Sequence, residues 1–164
     1  MTKSNRLTKL VNATSKLPMS LRSTLWSKAF GRIVPMVGTA NIRYLEVNPS
    51  QVKVRIENQR NMQNHIKGVH AAAMALLAET ATGFLTGLHV PDHRILLIKS
   101  LHVDYLKVAK GGLTATAYLN AEQQALIASQ EKGELLIPVT VIDDTGNEPI
   151  HCQMLWAWLP KQKK

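Results

Sequence analysis

The stretch NHIKGVHAAAMALLAETATG, residues 64–83, narrows what this chain can fold into more than any other. Eleven of its twenty residues are Ala, Met, Leu, Val or Ile, and three alanines follow His70. A helix on a protein surface carries more charge than this; one that is apolar almost all round belongs inside. The pattern predicts a buried helix over 69–87, with Gly87 as its stop. A buried helix has little use for a carboxylate, so Glu79 in its middle is a candidate for chemistry. Asn64 and His70, at its start, are the others.

On either side the apolar period changes from helical to two. Residues 40–48 and 51–57 read as strands joined by a tight turn at Pro49-Ser50. Val52, Val54 and Ile56 share one face, and Gln51, Lys53, Arg55 and Glu57 the other. Four more strands are expected over 95–107, 113–121, 134–143 and 149–158, with turn chemistry at Lys110-Gly111-Gly112 and Asp144-Thr145-Gly146-Asn147. Residues 121–131 read equally as a short helix or a polar strand extension. Before the first strand, Leu7, Leu10 and Val11 mark a helix over 5–16. A second is expected over 21–31, capped by Ser20 and ended by Gly31, with 33–39 as a turn. The plan is α+β: one long central helix wrapped by one long antiparallel sheet (residues 40–164), behind a basic helical extension (residues 1–39).

The 164 residues suffice for one domain with its own core. A single cysteine, Cys152, excludes an internal disulfide framework and a multi-cysteine metal site, and its strand setting reads as core. His89 and His93 have metal-like spacing, but Pro91 between them breaks the helix that such spacing needs. No apolar run approaches the ~18 residues of a membrane span, and no secretory signal is visible, so a cytoplasmic-type compartment is expected. The net charge of +9 is uneven: residues 1–44 hold eight Lys or Arg, and the first acid is Glu46. Such a segment suits an anionic partner. Aromatics are scarce, at 5%, and no base-reading motif is present, which argues against nucleic acid. Weak contact of the basic N-terminus with a membrane surface is the remaining expectation.

The order β–helix–β–β–β, with a small-residue helix approached through N-x5-H and a carboxylate nine positions after the His, resembles the hotdog-fold acyl-CoA thioesterases of the PaaI type. The resemblance covers about residues 40–158, and Asn64, His70 and Glu79 carry it. An uncharacterised subgroup with H-A-A-A at the helix start is more similar still. This chain departs from the usual pattern in having Ala71-Ala72 where a Gly pair is common, and Glu79 where many members have Asp.

The resemblance implies a hotdog fold and hydrolysis of an acyl-CoA, with coenzyme A entering only as part of the substrate and no metal. Glu79 would be general base or nucleophile, and the backbone N–H of Ala71 an oxyanion donor at the positive end of the helix. Asn64 would orient water or the thioester carbonyl, and His70 would sit at the helix start. Gly68 would let the chain turn sharply into the helix. Arg60, Lys99, Lys107 and Lys110 would hold the phosphates of coenzyme A. Non-catalytic binding of an acyl-CoA or fatty acyl group is the alternative, suggested by Ala71-Ala72.

One constraint needs no family. Nine residues along a helix turn it roughly half a turn past a whole number and advance it ~13 Å. His70 and Glu79 therefore point to opposite faces and cannot serve one site within one chain. A two-fold homodimer, with two such dimers free to pair as a tetramer, would bring them together.

Overall fold

The computed structural model describes residues 5–162, so Lys3 of the basic segment lies outside the described residues. The central helix, α4 (Ala71–Gly87), starts at His70, whose backbone is extended and whose Nδ1 accepts the N–H of Ala72 at 3.0 Å. Ala73, Leu77, Ala78, Ala81 and Leu85 are buried, as expected of a helix apolar on nearly every side. Its small residues let the sheets approach. A Cβ added to Gly83 would stand 2.5 Å from the Trp156 ring, and the Trp156 indole donates to Thr82 Oγ1 at 2.9 Å.

Seven antiparallel strands cover α4: β1 (Arg43–Val47), β2 (Gln51–Ile56), β3 (Arg94–Tyr105), β4 (Leu113–Tyr118), β5 (Gly133–Ile137), β6 (Val139–Asp143) and β7 (Ile150–Pro160). They form two sheets, ordered β1-β2-β4-β6 and β3-β7-β5. The expected single strand over 134–143 is therefore two. Pro138 has no N–H for a ladder, and the chain passes there from one sheet to the other while the Pro138 carbonyl accepts from Tyr118. Val52, Val54 and Ile56 face the core as read. The Asn48 carboxamide holds the Pro49-Ser50 turn by accepting from the N–H groups of Ser50 and Gln51. Strand β3 is twelve residues long and pairs on one side only, with β7.

The N-terminal residues form three helices, α1 (Arg6–Ala13), α2 (Met19–Ile33) and α3 (Pro35–Thr39). The turn expected over 33–39 is the helix α3, with Pro35 in its first turn, where a missing N–H costs nothing. Helix α2 begins two residues earlier than read, with Pro18 rather than Ser20 before it, and runs past Gly31 to Ile33. Phe30 of α2, Tyr44 of β1 and Phe84 of α4 form an aromatic trio with centroids 4.4–5.0 Å apart. Asn5 ties α1 down at both ends of its side chain. Its oxygen caps Thr8, and its Nδ2 donates to the carbonyls of Gly87, Leu88 and Val90. These carbonyls close the C-terminal end of α4, where backbone acceptors lack helical partners. Residues 121–129 are a helix, α5 (Ala121–Ser129), started by a capping box of Asn120 and Gln123. Among the described residues no helix is long and apolar enough to cross a membrane.

Candidate active site

The two ends of chemistry on α4 open into different cavities. At its start, a cavity of about 250 Å³ is lined by Asn64, Gly68, Ala71, Met74, Tyr105 and Lys107, among others. The loop into the helix is shaped by the Asn64 carboxamide, whose oxygen accepts from Ile66 and Gly68. The left-handed residue of this loop is Lys67, at φ 63°, not Gly68. A Cβ at Gly68 would meet nothing nearer than 3.7 Å, so the sharp turn expected of that glycine belongs to its neighbour. Ala71 is the first helical residue. Its N–H has no hydrogen-bond partner among the described residues, and its carbonyl accepts from the Tyr105 hydroxyl at 2.9 Å. That bond pins the end of β3 to the start of α4.

His70 lines a different space, beside Met36, Asn61 and Ala73. Because its Nδ1 accepts the Ala72 N–H, the imidazole proton of the neutral ring lies on Nε2. In this geometry His70 is a cap.

Glu79 lies half-buried in a further cavity, of about 240 Å³, walled by Phe30, Val34, Tyr44, Phe84, Leu96 and Trp156. Burial raises the Glu79 pKa. It forms no ion pair and no side-chain hydrogen bond among the described residues. The structural ion pair that is the usual explanation of a buried carboxylate is thus missing there. Burial also raises the Tyr44 pKa, and the charge of Glu79 adds to this. Thr80 lines the same cavity, and its buried hydroxyl has no hydrogen-bond partner among the described residues.

The structure therefore joins Asn64, Gly68, Ala71 and Lys107, and separates them from His70 and from Glu79. Lys99 is engaged with Glu134 and lines none of these cavities. Arg60 lies in a short 3-10 turn, Arg60–Met62, and Lys110 lies in a turn held by its own N–H to Asp143; neither reaches these cavities. His89 donates to the Pro49 carbonyl, while His93 faces Glu131. Burial, reinforced by the charges of Glu148 and Asp104, pushes the Cys152 thiol up to about 11, which leaves it a poor nucleophile.

Sequence reasoning missed Tyr105, Tyr44 and Thr80. Only Tyr44 left a signal, as an aromatic on the inward face of a predicted strand. The other two depend on which segments meet in space.

A family model described as a domain of unknown function, DUF4442, matches residues 22–159. The chain belongs to the DUF4442 family. No curated protein matches it. Solved structures resemble this DUF4442 chain over nearly its whole length. A Pseudomonas aeruginosa protein of unknown function, described as a probable thioesterase, is 21% identical, with a TM-score of 0.74 over 88% of this chain and 97% of its own. A thioesterase from Haemophilus influenzae is 12% identical, with a TM-score of 0.65 over 99% and 96%. A thioesterase family protein from Silicibacter pomeroyi is 13% identical, with a TM-score of 0.64 over 85% and 99%. At these identities the likeness speaks for the fold, and the fold is the expected hotdog: a long helix embraced by antiparallel strands.

Proposed function

We propose that this DUF4442 protein is an acyl-CoA thioesterase of the hotdog type, in the subgroup with H-A-A-A at the helix start, and that it works as a homodimer. The observation that carries this reading is Glu79: a carboxylate without a counter-charge among the described residues, in a cavity whose walls are mostly apolar. A raised pKa suits a general base that must take a proton from water near neutral pH. The apolar walls suit an acyl group. The free N–H of Ala71 suits an oxyanion, since it points from the positive end of α4 and needs no rearrangement to donate. Asn64 spends its oxygen on its own loop and keeps its Nδ2 for the substrate carbonyl or water. Lys107, beside them, is the best placed of the four proposed cations for a coenzyme A phosphate.

The dimer supplies what one chain lacks. Strand β3 offers a free edge, with Leu97, Ile98 and Leu101 exposed on both its faces. A long apolar edge of this kind is a template for another strand. Pairing β3 with its copy about a two-fold axis would continue the sheet and carry Glu79 of one protomer toward the Ala71 end of the other.

The test is thiol release from acyl-CoAs of graded chain length, by wild type and Glu79→Ala side by side. Turnover in wild type and its loss in a folded Glu79→Ala protein are expected. Equal turnover by both proteins would remove Glu79 from the mechanism. Saturable binding of the same acyl-CoAs without turnover would convert the reading to a non-catalytic acyl carrier, which the Ala71 methyl at the oxyanion position favours.

A further inference from the structure

The large apolar side chains left exposed are concentrated in two places. One is β3 and the segment after it, which the proposed dimer would cover. The other is the layer of α1 to α3, which carries eight of the nineteen among the described residues, including Met19, Leu21, Leu25, Ile33, Val34 and Met36. Among the described residues, no other part of the chain covers them. So many large apolar side chains left exposed on one layer mark an interaction site.

The charges of this layer point to its partner. Residues 1–44 contain eight Lys or Arg and no acid. Of those eight, only Arg43 forms an ion pair among the described residues, with Glu57. On α2, Leu21, Leu25, Lys28 and Arg32 fall within roughly 60° of one another around the helix axis, and all four are exposed. Leucines set among cations on one face fit an interface where lipid tails and anionic headgroups lie within a few ångströms. A second copy of the chain fits poorly, since a two-fold contact through this face would set cation against cation.

We propose that the outer face of α1 to α3 docks on the surface of an anionic lipid bilayer, with Leu21 and Leu25 entering the headgroup layer and Lys28 and Arg32 paired with lipid phosphates or carboxylates. Ile33 and Val34 are exposed at 68% and 45% and also wall the Glu79 cavity. Ile33 follows Arg32 directly, so docking sets the rim of that cavity close to the membrane surface. The docking stands without the thioesterase reading. What it would accomplish, direct entry of an acyl chain dissolved in the bilayer, rests on that reading.

Co-sedimentation of the full chain with vesicles tests the docking. Vesicles of phosphatidylcholine alone are compared with vesicles also containing phosphatidylserine, at low and high salt. Binding that requires phosphatidylserine and is released by salt is expected. Lys28→Gln with Arg32→Gln should weaken it by about thirtyfold. Leu21→Asp with Leu25→Asp should abolish it, and Glu79→Gln should bind as wild type. These four positions are on the surface, and circular dichroism checks that each variant is folded; either pair alone suffices for the test.

Equal binding to both vesicle types, or cation and leucine variants that bind like wild type, would overturn the proposal. So would sedimentation velocity without lipid that shows an assembly beyond the dimer which the leucine variants dissolve, because the face would then belong to a second copy. Hydrolysis of a short, soluble acyl-CoA without vesicles reports on the catalytic reading separately, and its absence leaves the vesicle result standing.

Discussion

Ala71 is the residue at which the proposed chemistry can be probed with least disturbance. It is the first residue of α4, where proline fits a helix, and His70 before it already has the extended backbone that a following proline requires. Ala71→Pro removes one N–H and leaves the helix. If that N–H is the oxyanion donor, kcat should fall about 100-fold with little change in thermal stability. His70→Ala should do the reverse. It deletes a cap and should cost about 1 kcal/mol in a denaturant titration while turnover persists. Glu79 adds a pH dependence. Burial raises its pKa, so the fold favours its protonated form, and that contribution is present below the ordinary carboxylate pKa and lost as pH rises through the raised value. Glu79→Gln, neutral throughout, should therefore be more stable than wild type at neutral pH. The gap should close toward about pH 4, which thermal melts across that range would reveal. Glu79 was legible in the sequence because a charge inside an apolar helix contradicts its surroundings. Thr80 and Tyr105 were not, since a threonine in a helix and a tyrosine in a strand contradict nothing until their neighbours are known.

At the scale of elements, the central helix and most strands were legible from apolar period and turn residues. Their failures share a cause. The run 134–143 is strand-like on both sides of Pro138, whose missing N–H allows either an edge strand or a break, and the pairing of its two halves with different sheets makes it a break. The segment 33–39 holds a proline and a glycine, which reads as a turn, yet burial of Val37 in the core selects a helix. In both places tertiary contacts decided what local preference left open. The contact between α4 and β7 offers the sharpest test of packing. Gly83 leaves no space for a methyl group against Trp156, and that ring is fixed by its bond to Thr82. Gly83→Ala should thus destabilise the fold by about 1–3 kcal/mol despite the better helix propensity of alanine, with a changed tryptophan emission.

At the scale of the whole molecule, the Ala71 end of α4 and Glu79 face different cavities of one chain, and the proposed dimer would complete each site with groups from both chains. Their separation by eight residues of helix, ~12 Å, has a consequence for inheritance as well as for chemistry. Suppose one gene copy carries Ala71→Pro and another Glu79→Ala. Each alone gives an inactive protein, but a mixed dimer places both lesions in one of its sites and leaves the other site whole. Refolding the two proteins together should restore about a quarter of wild-type turnover, since half of randomly formed dimers are mixed and each has one intact site. Titrating one defective protein into a fixed amount of the other checks this, and a flat zero would mean that each chain works alone. Two recessive alleles of such a gene would rescue each other in the same cell, whereas two alleles both damaged at Glu79 would not.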